Sequence, residues 1–102
     1  MVFYNKILHA YVLIELKTTK LTPEAAGQIN MYLNYYAAEV NDPEDNPPIG
    51  IILCRRANRA FVEYAIRDYT KPMGVATYKT LGDMPEAFRE ALPDEDDLKK
   101  LL

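Results

Sequence analysis

Residues 11–17, Tyr-Val-Leu-Ile-Glu-Leu-Lys, constrain the fold of this chain more than any other stretch. The run is β-branched or aromatic over most of its length, which favours a strand. Side chains alternate between the two faces of a strand, so Glu15 and Lys17 project from the same face as Tyr11 and Leu13. A carboxylate and an ammonium therefore share one face of a strand that is apolar enough to be interior.

Two interpretations of Glu15 and Lys17 follow from their charges. Burial of a charged side chain costs free energy unless the charge is paired or meets another charge. A divalent metal held by the carboxylate, with the lysine close by, would meet that cost. The strand can equally end in solvent with an exposed ion pair.

A helix is predicted to follow this strand. Thr22 is a typical N-cap, Pro23 suits the first helical position and Glu24 suits the first turn. The helix is expected to continue to about Val40, with a core-facing stripe at helical spacing that consists of Ala25, Ile29, Tyr32, Leu33, Tyr36 and Val40. Gly27 costs about 1 kcal/mol relative to alanine inside a helix, so we expect a neighbouring backbone to approach it closely.

The rest of the chain supplies the other strands of a mixed sheet. Ile49–Cys54 is a continuous apolar run suited to a strand buried on both faces, and Cys54 is expected to be a small buried hydrophobe. A strand, a helix and a strand in succession form a crossover unit, which is typical of α/β proteins. The further expectations are a hairpin of residues 1–4 with the first strand, a loop over 41–48, an extended segment over 73–79, and helical pieces over 84–92 and 94–102. The pattern over 60–66 fits a short helix or a strand, and the helix is favoured.

Composition excludes several classes of protein. The 102 residues suffice for one domain, and no apolar run approaches the roughly 20 residues of a membrane span. The first residues lack the pattern of a signal peptide, so we expect a cytoplasmic protein. The formal net charge is −3, and acids concentrate after residue 82. Arg55, Arg56 and Arg59 form the densest basic group, which is suited to phosphates or is simply a solvated loop.

Several motifs together resemble a known family over nearly the whole chain. They are Phe3-Tyr4-Asn5, the run 11–17, Pro23–Leu33 with its Gly27-Gln28 pair, Asp45–Cys54, Val62–Ala65, Lys71–Val75, Leu81–Pro85 and Leu92-Pro93. In this combination the chain resembles the C-terminal nuclease domain of YhcG-type bacterial proteins, in the PD-(D/E)xK, or restriction-endonuclease-like, superfamily. The Glu15-Leu16-Lys17 triplet alone would be weak; its combination with the helix and the second strand is specific.

The resemblance implies an α/β fold with a restriction-endonuclease-like mixed sheet and flanking helices over residues 1–92, followed by a short acidic helix or tail over 93–102. It implies Glu15 as a ligand of Mg²⁺ or Mn²⁺, and Gln28 and Tyr32 facing the site from the helix. It implies that Lys17 orients or activates the attacking water and stabilises the developing charge. A metal ion polarises the phosphate and lysine offsets the developing charge. The implied substrate is DNA, with RNA also open. The basic group Arg55, Arg56 and Arg59, which charge alone singles out, is the candidate for binding it.

One departure from the family concerns the first metal ligand. In the family an aspartate lies immediately before the stretch that matches Met1–Tyr4. We therefore expect an N-terminally truncated domain that binds metal weakly and has an uncovered sheet edge suited to a homodimer. The alternative function is a non-catalytic module that binds nucleic acid or protein.

Overall fold

The protein has four strands and two α-helices in the part of the chain that can be followed. This computed structural model describes residues 1–67, 69–70 and 72–77, without the side chain of Arg59. The elements are β1 (Val2–Asn5), β2 (Ala10–Leu16), α1 (Pro23–Tyr35), β3 (Ile49–Cys54), α2 (Arg59–Ile66) and β4 (Met73–Thr77). The predicted helix over 60–66 is confirmed as α2. The predicted helices after residue 83 and the segment 93–102 lie outside the described residues.

The four strands form one mixed sheet in the order β1-β2-β3-β4. β1 pairs with β2 antiparallel, whereas β2, β3 and β4 run parallel to one another. α1 connects β2 to β3 and α2 connects β3 to β4, because parallel neighbours require a crossover connection. The mixed α/β sheet with flanking helices is therefore confirmed.

The hairpin turn between β1 and β2 is built by Asn5. Its side-chain Oδ1 accepts hydrogen bonds from the backbone N–H groups of Ile7 and Leu8, at 3.0 and 2.9 Å. His9 then takes a positive φ of 51°, a left-handed conformation in which histidine is more frequent than most residues. The turn sets the register of the hairpin, in which Tyr4 lies opposite Tyr11.

The helix α1 begins where its sequence predicts. The Oγ1 of Thr22 accepts from the backbone N–H of Ala25 at 3.3 Å, and Pro23 occupies the first helical position. Beyond Tyr35 the helix widens into a π-helix, Tyr36–Val40, so the predicted end near Val40 is confirmed. The predicted core stripe is wrong at one position, since Tyr32 is 42% exposed.

Gly27 in α1 and Gly50 in β3 differ in how closely other residues approach their backbone. Among the residues that the structure describes, a Cβ at Gly27 would meet only the Tyr69 hydroxyl, 3.5 Å away, which is ordinary contact. No backbone of the described residues approaches Gly27 in the way that was predicted. A Cβ at Gly50 in β3 would lie 2.8 Å from Leu33 Cδ1 and 3.2 Å from Ile29 Cδ1. The close approach is thus between α1 and β3 at Gly50.

The core has one cluster on each face of the sheet. On the helix side, Leu13 and Ile52 pack with Ile29 and Leu33 of α1. On the opposite side the buried residues are Val12, Ile14, Ile51, Leu53 and Ala76. β3 is thus buried on both faces, as its continuous apolar run predicts. No helix among the described residues is long and apolar enough to cross a membrane.

Candidate active site

Glu15 and Lys17 lie side by side at the carboxyl end of β2. The Lys17 Nζ is 3.5 Å from Glu15 Oε1, and the two side chains are 30% and 28% exposed, respectively. The Lys17 backbone N–H donates to the Leu53 carbonyl at 2.7 Å, so β3 holds the lysine backbone one residue beyond the strand. The pair is neither fully buried nor free in solvent, and each charge has a partner while keeping access to a ligand.

A pocket of about 530 Å³ opens beside Glu15, between the β1–β2 hairpin and α1. We call it the Glu15 pocket. Among the described residues, Glu15 is the one carboxylate in its wall, and the others that line it are Met1, Val2, Leu13, Ile14, Ile29, Met31, Tyr32, Tyr35 and Tyr36. Apolar side chains around the carboxylate lower the local dielectric constant below that of water, which strengthens its electrostatic interactions.

The two residues expected on α1 are placed differently. Tyr32 lines the Glu15 pocket, whereas Gln28 is exposed and is not part of the pocket wall. Gln28 lies one helical turn before Tyr32, on the same side of α1. The structure therefore brings Tyr32 to the pocket that contains Glu15 and does not place Gln28 in the pocket wall.

A second pocket, of about 890 Å³, lies at the carboxyl ends of β2, β3 and β4. We call it the basic pocket. Arg55 and Arg56 line it together with Lys20, and the other lining residues are Leu21, Ala57, Asn58, Phe61 and Thr77. Arg59 is the first residue of α2, and its side chain lies outside what the structure describes.

The strand register defines which β1 position faces Glu15. Val2 pairs with Leu13, and Met1 and Ile14 exchange both backbone hydrogen bonds, at 2.8 and 2.7 Å. The position preceding Met1 is therefore the one that would lie opposite Glu15, where directly opposed Cβ atoms in an antiparallel pair are about 5 Å apart.

The opposite end of the sheet is tied together by polar side chains and loops. The Tyr4 hydroxyl donates to Asp45 Oδ1 at 2.7 Å, and Asn46 Nδ2 donates to the Leu8 carbonyl at 2.7 Å. The first contact raises the pKa of Tyr4 to about 12 and holds the pKa of Asp45 below its usual value. We call this the closed end of the sheet, and we call the end with Glu15, Lys17 and the basic pocket the open end.

Sequence reasoning missed Lys20 and Phe61 as candidates. A short parallel bridge between Lys20 and Arg56 continues the β2–β3 ladder past both strands, which brings the lysine beside the two arginines. The signal was available, because side chains that follow neighbouring parallel strands meet at one edge of the sheet, where α/β proteins bind ligands. The sequence does not show that Phe61 lines the basic pocket, because this depends on where α2 lies in space relative to the sheet.

Comparison with known proteins identifies relatives of this chain. The family model described as the YhcG PDDEXK nuclease domain matches residues 1–93. The Escherichia coli K12 protein named "Putative nuclease YhcG" is 33% identical over 79 residues, which are 78% of this chain and 21% of that protein. The chain thus spans about a fifth of the length of this curated relative. No solved structure matches it.

Proposed function

The chain belongs to the YhcG PDDEXK nuclease domain family, and from this we propose that it hydrolyses phosphodiester bonds of DNA with a divalent metal. The single observation that carries the proposal is the contact of Glu15 with Lys17 at the edge of the Glu15 pocket. In the reaction a water oxygen forms a bond to phosphorus, and the bond from phosphorus to the leaving deoxyribose oxygen breaks. RNA, which offers the same phosphodiester, is the alternative substrate.

The donors present fit Mg²⁺ or Mn²⁺. Among residues 1–67, 69–70 and 72–77, no three His, Cys, Asp or Glu side chains cluster closely enough to hold an ion by themselves. Magnesium binds through one or two carboxylates and completes its shell with water and substrate phosphate oxygens. Glu15 supplies such a carboxylate, partly exposed and next to an open pocket.

Each candidate residue has a distinct task in this proposal. Glu15 would hold the ion, which supplies Lewis-acid polarisation of the phosphate and a water of lowered pKa. The Lys17 ammonium, 3.5 Å from the Glu15 carboxylate, would orient the attacking water and offset the negative charge that grows on the phosphate oxygens. Tyr32 would contact the substrate from the pocket wall, and Gln28, one helical turn earlier on α1, would contact it beyond that wall. Arg55 and Arg56 would bind neighbouring phosphates, with Arg59 beside them in the sequence.

The β1 position opposite Glu15 gives the proposal a direct test. The family resemblance puts an aspartate there, and the Met1–Ile14 pair supplies the register. An extended chain with an initiator methionine and an aspartate before Met1 would set a second carboxylate beside Glu15. We expect weak plasmid cleavage by the 102-residue chain and faster cleavage by the extended chain, because a second carboxylate tightens metal binding.

The cleavage assay uses plasmid DNA with Mg²⁺ or Mn²⁺ and a matched pair of lysine variants. Lys17→Ala in the extended chain should abolish nicking, whereas Lys6→Ala, an exposed lysine of the hairpin turn, should not alter it. Cleavage that survives Lys17→Ala would contradict the assignment. DNA binding without cleavage by the extended chain, with no calorimetric heat from Mn²⁺, would instead favour the non-catalytic module.

We propose in addition that the chain forms a homodimer through β1. β1 is an outer strand of the described sheet, and its hydrophobic residues Val2 and Tyr4, with Met1 just before it, are exposed. Such an edge pairs readily with a second copy. Light scattering should give twice the mass of one chain, and a mass of one chain at every concentration would exclude the dimer.

A further inference from the structure

We infer that the open end of the sheet carries a binding surface for single-stranded DNA, formed by Lys20, Arg55, Arg56, Phe61 and Tyr64. We call these residues the stacking surface. The inference rests on the proposed function, and it adds that the nuclease engages DNA with an unpaired segment next to the cleaved bond. Phosphates of that segment would contact the three cations, and its bases would stack on the two aromatic rings.

The three cations are presented by a fixed backbone. The Arg55 N–H donates to the Thr19 carbonyl at 2.9 Å, and the Leu21 N–H donates to the Arg56 carbonyl at 3.0 Å. These bonds tie residues 19–21 to 55–56 beyond the ends of β2 and β3, so Lys20, Arg55 and Arg56 are exposed beside one another. None of the described residues that line the basic pocket is acidic, and the charge of this lining complements a phosphate backbone.

The aromatic side chains continue from the basic pocket along α2. Phe61 lines the basic pocket and also a neighbouring pocket of about 340 Å³, whose other lining residues are Pro23, Tyr64, Ala65 and Tyr69. Phe61 and Tyr64 are 38% and 71% exposed, and they lie three residues apart on one side of the helix. The Arg67 guanidinium lies 5.5 Å from the centre of the Tyr64 ring, which places a fourth cation beside this ring.

Cations next to exposed aromatic rings match an unpaired strand better than a duplex. Bases in a duplex are stacked on each other, so their faces are closed to a protein side chain. Single strands expose these faces, and proteins that bind them combine a basic groove with aromatic stacking platforms. A duplex, or an acidic protein partner, would use the cations and leave Phe61 without a role.

The stacking surface is close enough to Glu15 and Lys17 to receive the same DNA molecule. Three residues of extended chain, at most about 11 Å, separate Lys17 from Lys20. Both lie at the open end of the sheet, where the β2–β3 ladder continues through Lys17 to Lys20. A strand of a few nucleotides bound at Arg55 and Arg56 would therefore reach the Glu15 pocket.

The test measures binding in EDTA, where cleavage does not occur, by anisotropy of labelled oligodeoxythymidine and of a blunt duplex. Phe61→Leu keeps the apolar volume and removes the ring. Because a base–aromatic stack is worth a factor of about five or more in affinity, this variant should bind oligodeoxythymidine at least about five-fold more weakly and bind the duplex unchanged. An equal loss for both probes, or no loss, overturns the inference.

Two further measurements separate a binding role from a structural one. Arg56→Ala should lower the slope of log affinity against log salt for the single strand by about 0.7, whereas Lys6→Ala at the closed end should not. An unchanged slope for Arg56→Ala overturns the phosphate contact. As a control for charge, polyglutamate should not quench the fluorescence of a tryptophan introduced by Phe61→Trp. Quenching by polyglutamate equal to that by oligodeoxythymidine would mean that the surface attracts any polyanion, which also overturns the inference.

A tryptophan reporter keeps the test decisive if Phe61→Leu fails to fold. The chain has no tryptophan, so Phe61→Trp introduces one fluorophore, and Ile7→Trp places the control in the exposed hairpin turn. Oligodeoxythymidine should quench the first and not the second, and equal behaviour of the two contradicts stacking. If the nuclease proposal alone fails, this quenching persists without cleavage; if the inference alone fails, plasmid cleavage persists without the quenching.

Discussion

The two ends of the sheet use polar side chains for opposite purposes. At the closed end, Tyr4 donates to Asp45 and Asn46 donates to the Leu8 carbonyl, so these polar groups hold loops onto strands. At the open end, Glu15 and Lys17 contact each other at 3.5 Å, and Arg55 and Arg56 line a large open pocket. The contrast shows that backbone bonding holds the open end in place, which leaves its charged side chains available for a ligand.

The largest expected difference between the two ends comes from replacing one carboxylate at each end by the neutral amide of the same shape. Glu15→Gln should reduce plasmid cleavage by the extended chain about 100-fold or more, the order expected when one charged stabilising group is lost, with little change in stability. Asp45→Asn should lower the stability and leave the cleavage rate nearly unchanged, since Asp45 accepts from the Tyr4 hydroxyl and from the Asp42 N–H. Cleavage rates and urea midpoints of both variants decide the matter, and equal cleavage by the two would remove the functional distinction between the ends.

A pair of glycine variants tests the packing between the ends. Gly50→Ala should destabilise the protein by about 1–3 kcal/mol through overpacking, because its Cβ would lie 2.8 Å from Leu33 Cδ1. Gly27→Ala should stabilise it by up to about 1 kcal/mol through helix propensity, since its Cβ would have ordinary contact with Tyr69. Urea denaturation measures both, and a destabilising Gly27→Ala would show that this position needs glycine.

The pH dependence of stability should report the closed end. The hydrogen bond to Tyr4 lowers the pKa of Asp45 below 3.8, so its contribution is present above pH 3.8 and is lost as the pH falls through the lower value. The same bond raises the pKa of Tyr4 from 10.0 to about 12, so that contribution is complete below pH 10.0 and is lost as the pH rises through about 12. Urea midpoints of the parent chain and Tyr4→Phe should differ at neutral pH and converge at both extremes.

Thiol chemistry at Cys54 should have the smallest effect. Cys54 ends β3 at the open end, yet it is fully buried, its Sγ lies 3.7 Å from the Ala76 carbonyl, and burial raises the pKa of its thiol. We expect a thiol reagent to leave the folded chain and its cleavage activity unchanged and to react readily in urea. Rapid labelling of the folded chain would show that β3 opens locally at the open end and exposes the Cys54 thiol.

The elements were more predictable from sequence than the site. Local signals defined α1, since Thr22 and Pro23 start it, and the apolar run of β3 predicted burial on both faces. The pairing of Glu15 with Lys17 on one face followed from strand alternation alone. Lys20 could not be joined to Arg56 without the parallel register, and helical spacing assigned Tyr32 to the core because periodicity does not show where a neighbouring layer ends.

The backbone pairing of Met1 with Ile14 has a practical consequence for work with this domain. A purification tag fused directly before Met1 would not be a solvated tail over its whole length, because its last residue would continue β1 and lie opposite Glu15. That residue would sit beside the Glu15 carboxylate, so an acidic junction and a neutral junction give this carboxylate different surroundings and are different experiments.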